Sequence, residues 1–147
     1  MNNLQSVLEK MQHSVCELEL LQVEELKQLE QVSINPVSLQ MITDMKSQLL
    51  SRLRYHDELR MAEEEKLQIK APYEKHVNLS KQWCKTREHI DKCNILSKKV
   101  FVLLDMHMNK TRKINTIINN NKSELSIYSA QGTKSASPQG KIYNLSI

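Results

Sequence analysis

The sequence predicts an all-α fold, an elongated antiparallel three-helix bundle whose third helix is the longest and leads into a disordered C-terminal tail. Three observations carry that expectation. Both glycines of the 147-residue chain, Gly132 and Gly140, lie in its last sixteen residues, so tight turns are scarce before them. Pro36 and Pro72 divide the glycine-free part into three stretches, while Pro138 falls in the tail. Hydrophobic residues make up 39% of the chain and aromatics only 4%, so the core must be built from Leu, Ile, Val and Met on helices.

The first helix is expected from about Asn3 to Val32. Its apolar residues Leu4, Leu8, Met11, Val15 and Leu18, then Leu21, Leu26, Leu29 and Val32, recur in steps of three and four with one slip. Asn35 before Pro36 reads as an N-cap followed by a favourable first helical residue. The second helix starts there, with a stripe of Met41, Ile42, Met45, Leu49, Leu53, His56 and Leu59 that fades through Glu63, Glu64, Glu65 and Lys66. Pro72 opens the third stretch, whose apolar positions run through Tyr73, Val77, Trp83, Ile90, Leu96, Val100, Leu103 and Leu104 to Ile114, Ile117 and Ile118. Asn119, Asn120 and Asn121 are expected to stop it.

At about 1.5 Å per residue these helices measure roughly 45, 50 and 70 Å. The third overshoots an up-down-up bundle, and its segment from about Asp105 to Asn119 either runs on or bends back after a break near Asn109. On this reading residues 1–121 form the helical domain and residues 122–147 a flexible tail. The tail, rich in Ser, Gly, Gln and Asn, cannot bury enough surface to offset its ordering entropy.

Charge is unevenly spread. Residues 1–32 hold six acids and two bases, net −4; residues 33–72 hold six of each; residues 73–122 hold four acids and eleven bases, net +7. An acidic first helix beside a basic third one follows, and it weakens a nucleic-acid reading because the basic face is partly neutralised within the fold. No apolar run reaches the 18 or so residues needed to span a bilayer, and the N-terminus lacks a basic region followed by an apolar one. Cys16, Cys84 and Cys93 are odd in number and lack CxxC spacing. Reduced thiols and a cytoplasmic location are therefore expected.

Catalytic chemistry finds little support in the residues. Cys84, His89 and Cys93 are the nearest approach to a cluster, but only His89 and Cys93 share a helix face, and two ligands do not make a structural zinc site. No Gly-rich phosphate loop occurs, so neither enzyme activity, a metal nor a cofactor is expected. The basic residues Lys98, Lys99, Lys110, Arg112 and Lys113 lack aromatic interleaving and read more readily as a solvated face than as a nucleic-acid site. The stretch LLDMHMNK is different, because the length argument removes its partners and Met suits surfaces that adapt to a partner helix. Leu103, Leu104, Met106, Met108, Ile114, Ile117 and Ile118 are thus candidates for binding another protein. A homotypic coiled coil and a basic-helix nucleic-acid binder remain as alternatives.

Two motifs carry a family resemblance. In the second helix Leu39, Ile42, Thr43, Lys46, Leu49, Leu50 and Leu53 follow the order Leu-x-x-Ile-Thr/Ala-x-x-Lys-x-x-Leu-Leu-x-x-Leu. In the tail Ile127, Tyr128, Ser129, Ala130, Gln131 and Gly132 follow an apolar-Tyr-Gly/Ser-Ala-x-Gly element, and the chain closes on Ser-Ile. Over nearly its whole length the chain resembles the FlgN family of flagellar export chaperones. The resemblance implies a cytoplasmic, nucleotide-independent chaperone that holds the C-terminal helical regions of the hook-filament junction proteins FlgK and FlgL and delivers them to the export gate protein FlhA. It further implies that Ile127 and Tyr128 dock on that gate, while the end of the third helix takes the cargo.

Overall fold

A computed structural model describes residues 1–128, with side chains described through residue 122. It contains three helices, α1 (Asn2–Leu29), α2 (Pro36–Leu67) and α3 (Val77–Tyr128). The expected tail beyond Tyr128 lies outside the described residues. No described helix is long and apolar enough to cross a membrane. Contacts divide the chain into two compact units, one from Met1 to Met108 and a second from Asn109 onward.

The first unit is the bundle. Its α1 buries Leu4, Leu8, Met11, Val15, Leu18, Gln22, Glu25 and Leu29, together with Val7 and Ser14 on one side. Those eight positions advance by four, three, four and three without a break, the 3.5-residue repeat of a coiled-coil seam. The expected slip between Leu18 and Leu29 is therefore absent: Gln22 and Glu25 occupy the seam positions that the apolar residues vacate. Leu21 and Leu26 sit half-buried beside the seam, and Val32, expected in the stripe, is exposed beyond the helix end.

Asn35 caps α2 as expected, its side-chain oxygen accepting from the N–H groups of Val37 and Ser38 at 3.2 and 3.3 Å. The buried residues of α2 are Leu39, Ile42, Lys46 and Leu49, and half-buried Leu53, His56 and Arg60 continue the same register. This corrects the expected stripe, because Met41 and Met45 are exposed. Hydropathy favoured the methionines, but a seam through Ile42 and Leu49 places Lys46, not Met45, at its midpoint.

The core forms three successive clusters. Leu4, Leu8 and Met11 pack with Tyr73 and Leu79; Val15 and Leu18 with Leu49 and Cys93; Leu29 with Leu39 and Val100. As α1 is followed from its start to its end, α3 is read forward and α2 backward, which is the up-down-up arrangement. Between the second and third clusters lies a polar layer. Glu25 accepts from Lys46 Nζ at 2.8 Å, with the side chains only 3% and 6% exposed, and Gln22 Nε2 donates to Ser97 Oγ at 2.6 Å. The acidic character of α1 is thus answered partly by α2, through Lys46, and partly by α3, where Glu19 meets His89 Nδ1 at 2.6 Å.

The α2–α3 connection turns without glycine. Gln68 ends α2 in the left-handed region at φ 55°, and Tyr73 takes φ 60°, at a cost of about 1–2 kcal/mol for a residue with a Cβ. Tyr73 is held there by its surroundings: the ring is buried edge-on to Trp83 at 6.0 Å, and its hydroxyl donates to Glu64. Arg60 bonds the same carboxylate at 2.6 Å and lies 4.8 Å over the Trp83 ring. Burial, followed by the bond to Glu64, pushes the Tyr73 hydroxyl up to about 12. The left-handed Tyr73 also explains why α3 starts at Val77 and not at Pro72.

Helix α3 corrects two further expectations. It is unbroken at Asn109, and it continues through Asn119, Asn120 and Asn121 to Tyr128. Asparagine is less favourable than alanine in a helix interior by only about 0.7 kcal/mol, and no glycine follows the three asparagines to take up a left-handed cap before Gly132.

Candidate functional site

The seam of α3 is the element on which a site can be built. Steps of four and three lead from Leu79 through Trp83, Thr86, Ile90, Cys93, Ser97, Val100, Leu104, His107 and Thr111 to Ile114 and Ile118. Burial along this one register changes. Cys93 and Val100 are 5% and 1% exposed, whereas Ile114 and Ile118 are 47% and 44% exposed, with Ile117 beside them at 60%. Every residue from 109 to 122 is exposed.

The residues proposed from the sequence as a binding surface divide accordingly. Leu103 and Leu104 are half-buried and pack onto the cluster of Leu29, Leu39 and Val100, so the bundle itself uses them. Met106 is exposed and Met108 half-buried. Nearby, His107 Nε2 lies 2.6 Å from the carbonyl oxygen of Leu29, a bond that ties this part of α3 to the end of α1. Ile114, Ile117 and Ile118 belong to the second unit and form an apolar stripe on its helix. Ile127 and Tyr128 lie in helical backbone, and their side chains fall outside the described residues.

Full burial of an isoleucine contributes about 1.5–3 kcal/mol, so the three half-exposed isoleucines leave on the order of 4 kcal/mol of transfer free energy unrealised. The helix that carries them gains little from local propensity, since the segment 109–121 holds five asparagines and three isoleucines. A helical segment of this composition draws little stability from propensity and more from packing of its apolar face. The stripe and the weak propensity together describe a helical segment that burial of its apolar face would stabilise.

A second feature was not foreseen in the sequence. A shallow groove of about 350 Å³ between α1 and α2 is lined by Glu9, Lys10, His13, Ser14, Arg52 and His56. Ser14 Oγ and His56 Nδ1 at its wall are sealed from solvent and without a hydrogen-bond partner. Burial pushes the His56 imidazole below its ordinary range, and Lys10 and Arg52 add to the shift. The available signal was a histidine at a seam position of α2.

The other reactive side chains are engaged or lack company. Cys93 is buried with its thiol 3.7 Å from the carbonyl oxygen of Val15, and burial pushes it up to about 11. His89 is occupied by Glu19, and Cys84 is exposed. Among the described residues no group of three or more His, Cys, Asp or Glu side chains is placed to hold a metal ion. No family model, no curated protein and no solved structure matches this chain.

Proposed function

We propose that this chain is a cytoplasmic export chaperone of the FlgN type, a protein that holds another protein and catalyses no reaction. The observation that carries the reading is the apolar stripe of Ile114, Ile117 and Ile118, exposed on a helix that lacks strong propensity of its own. Such a surface accepts an amphipathic helix as i, i+3 and i+4 anchors. The C-terminal helical segments of FlgK and FlgL are the proposed cargo, because the motifs Leu39–Leu53 and Ile127–Gly132 resemble those of that chaperone family. In this reading cargo covers the stripe and prevents premature assembly, while Ile127 and Tyr128 dock on FlhA. A specific complex buries about 1,600 Å² in total, and ordering a marginal helix lowers the net affinity. Moderate affinity suits a carrier that must release its load.

The test is co-purification of the full chain with FlgK and FlgL and with the cytosolic part of FlhA. Ile117→Asp should abolish cargo capture, and Tyr128→Ala should abolish gate docking while cargo is retained. Undiminished cargo binding by Ile117→Asp, or by a chain lacking residues 105–147, would reject the assignment. The unbroken seam of α3 favours a second reading, homotypic assembly through the same stripe. Light scattering showing a dimer that Ile114→Asp dissociates would support it.

A further inference from the structure

The charges around the stripe narrow the kind of helix it accepts. Between Asp105 and Glu124 the chain contains no acidic residue, and it carries Lys110, Arg112, Lys113 and Lys122. All four bases are exposed, and none enters an ion pair among the described residues; Arg112 reaches only the Asn109 side chain, at 3.4 Å. At 3.6 residues per turn, Lys113 lies about 100° to one side of Ile114 and Lys122 about 80° to the other, with Lys110 about 40° away and Arg112 on the far side. Lys110 and Lys122 therefore occupy the two positions that flank the coiled-coil seam, where charge decides which helices pair, and Lys113 lies next outside on the side of Lys110.

We infer that this face selects a partner helix carrying acidic residues on both sides of its apolar stripe, and that a helix with basic flanks is turned away by like-charge repulsion. The inference rests on the reading of this face as a helix-docking surface, and it adds the partner's charge. An anionic membrane would also attract the lysines, but insertion needs more apolar surface than the stretch 109–122 offers. From Asn109 to Lys122 there are three isoleucines and no Leu, Phe, Tyr or Trp, and Lys110 and Asn121 interrupt the apolar side. Nucleic acid would use the lysines and leave the isoleucines uncovered.

The experiment uses the full chain and two fluorescein-labelled amphipathic peptides of identical leucine face, one with Glu and one with Lys in the flanking positions. Anisotropy should show the Glu-flanked peptide bound about tenfold more tightly at low salt, with the gap closing as ionic strength rises. Lys110→Glu/Lys122→Glu should reverse the preference. Ile117→Asp should abolish binding of both peptides. Circular dichroism of the variants should match the unmodified chain, because all three positions are exposed. Equal binding of the two peptides that Ile117→Asp still abolishes would overturn the charge selection and leave the docking surface standing. Failure of both peptides to bind would overturn both. Binding to phosphatidylcholine–phosphatidylserine vesicles or to duplex DNA that the lysine reversals abolish, without peptide discrimination, would assign the bases to those partners instead.

Discussion

Lys46→Met tests the polar layer of the bundle directly. In the native chain Lys46 Nζ lies 2.8 Å from Glu25 Oε1, and the two side chains are 6% and 3% exposed. Methionine preserves the length and packing of the lysine stem and removes its charge, leaving the Glu25 carboxylate buried without its cation. Removing one member of a sealed pair costs about 3–5 kcal/mol, against a total stability of about 5–15 kcal/mol for a domain of this size. With a urea dependence of about 2 kcal/mol per molar, the unfolding midpoint should fall by about 2 M. The assay is urea unfolding followed by circular dichroism at 222 nm. Glu25→Leu/Lys46→Met should recover most of the loss, since replacing both charges by apolar groups removes the desolvation penalty as well as the attraction. A single variant that loses less than about 1 kcal/mol, or a double variant no more stable than the single, would refute the claim that this pair is sealed and mutually dependent.

The remaining predictions concern titration and thiol chemistry. The folded chain holds the Tyr73 proton up to about pH 12, whereas an unfolded tyrosine loses it near 10. Stability should therefore be constant below about pH 10 and fall by about 2 kcal/mol between pH 10 and 12, and Tyr73→Phe should remove that fall in pH-dependent urea unfolding. Exposed Cys84 should react with a thiol reagent at once at pH 8, while Cys93, buried and pushed up to about 11, should react only on unfolding. Mass spectrometry of the labelled chain reads this directly, and prompt labelling of Cys93 would contradict its burial.

Composition and punctuation alone determined the fold class. A chain without glycine before residue 132, with prolines at 36 and 72, has few ways to turn, and Asn35-Pro36 announces the start of α2 by local chemistry that needs no tertiary context. The apolar stripe at Ile114, Ile117 and Ile118 was legible for the same reason, since spacing on a helix is a property of the helix.

Tertiary structure decided what hydropathy misreads. The seam of α1 runs through Gln22 and Glu25 and that of α2 through Lys46, because Glu25 pairs with Lys46 and the Gln22 amide nitrogen donates to Ser97 on α3. A single-sequence reading sees three polar residues and infers a slip or a rotated stripe. The glycine-free turn was likewise hidden, because Tyr73 adopts its left-handed backbone only with its ring against Trp83 and its hydroxyl on Glu64. Burial separated Leu103 and Leu104, used by the bundle, from the isoleucines beyond them. Periodicity says which residues share a face, and only packing says whether that face is already covered.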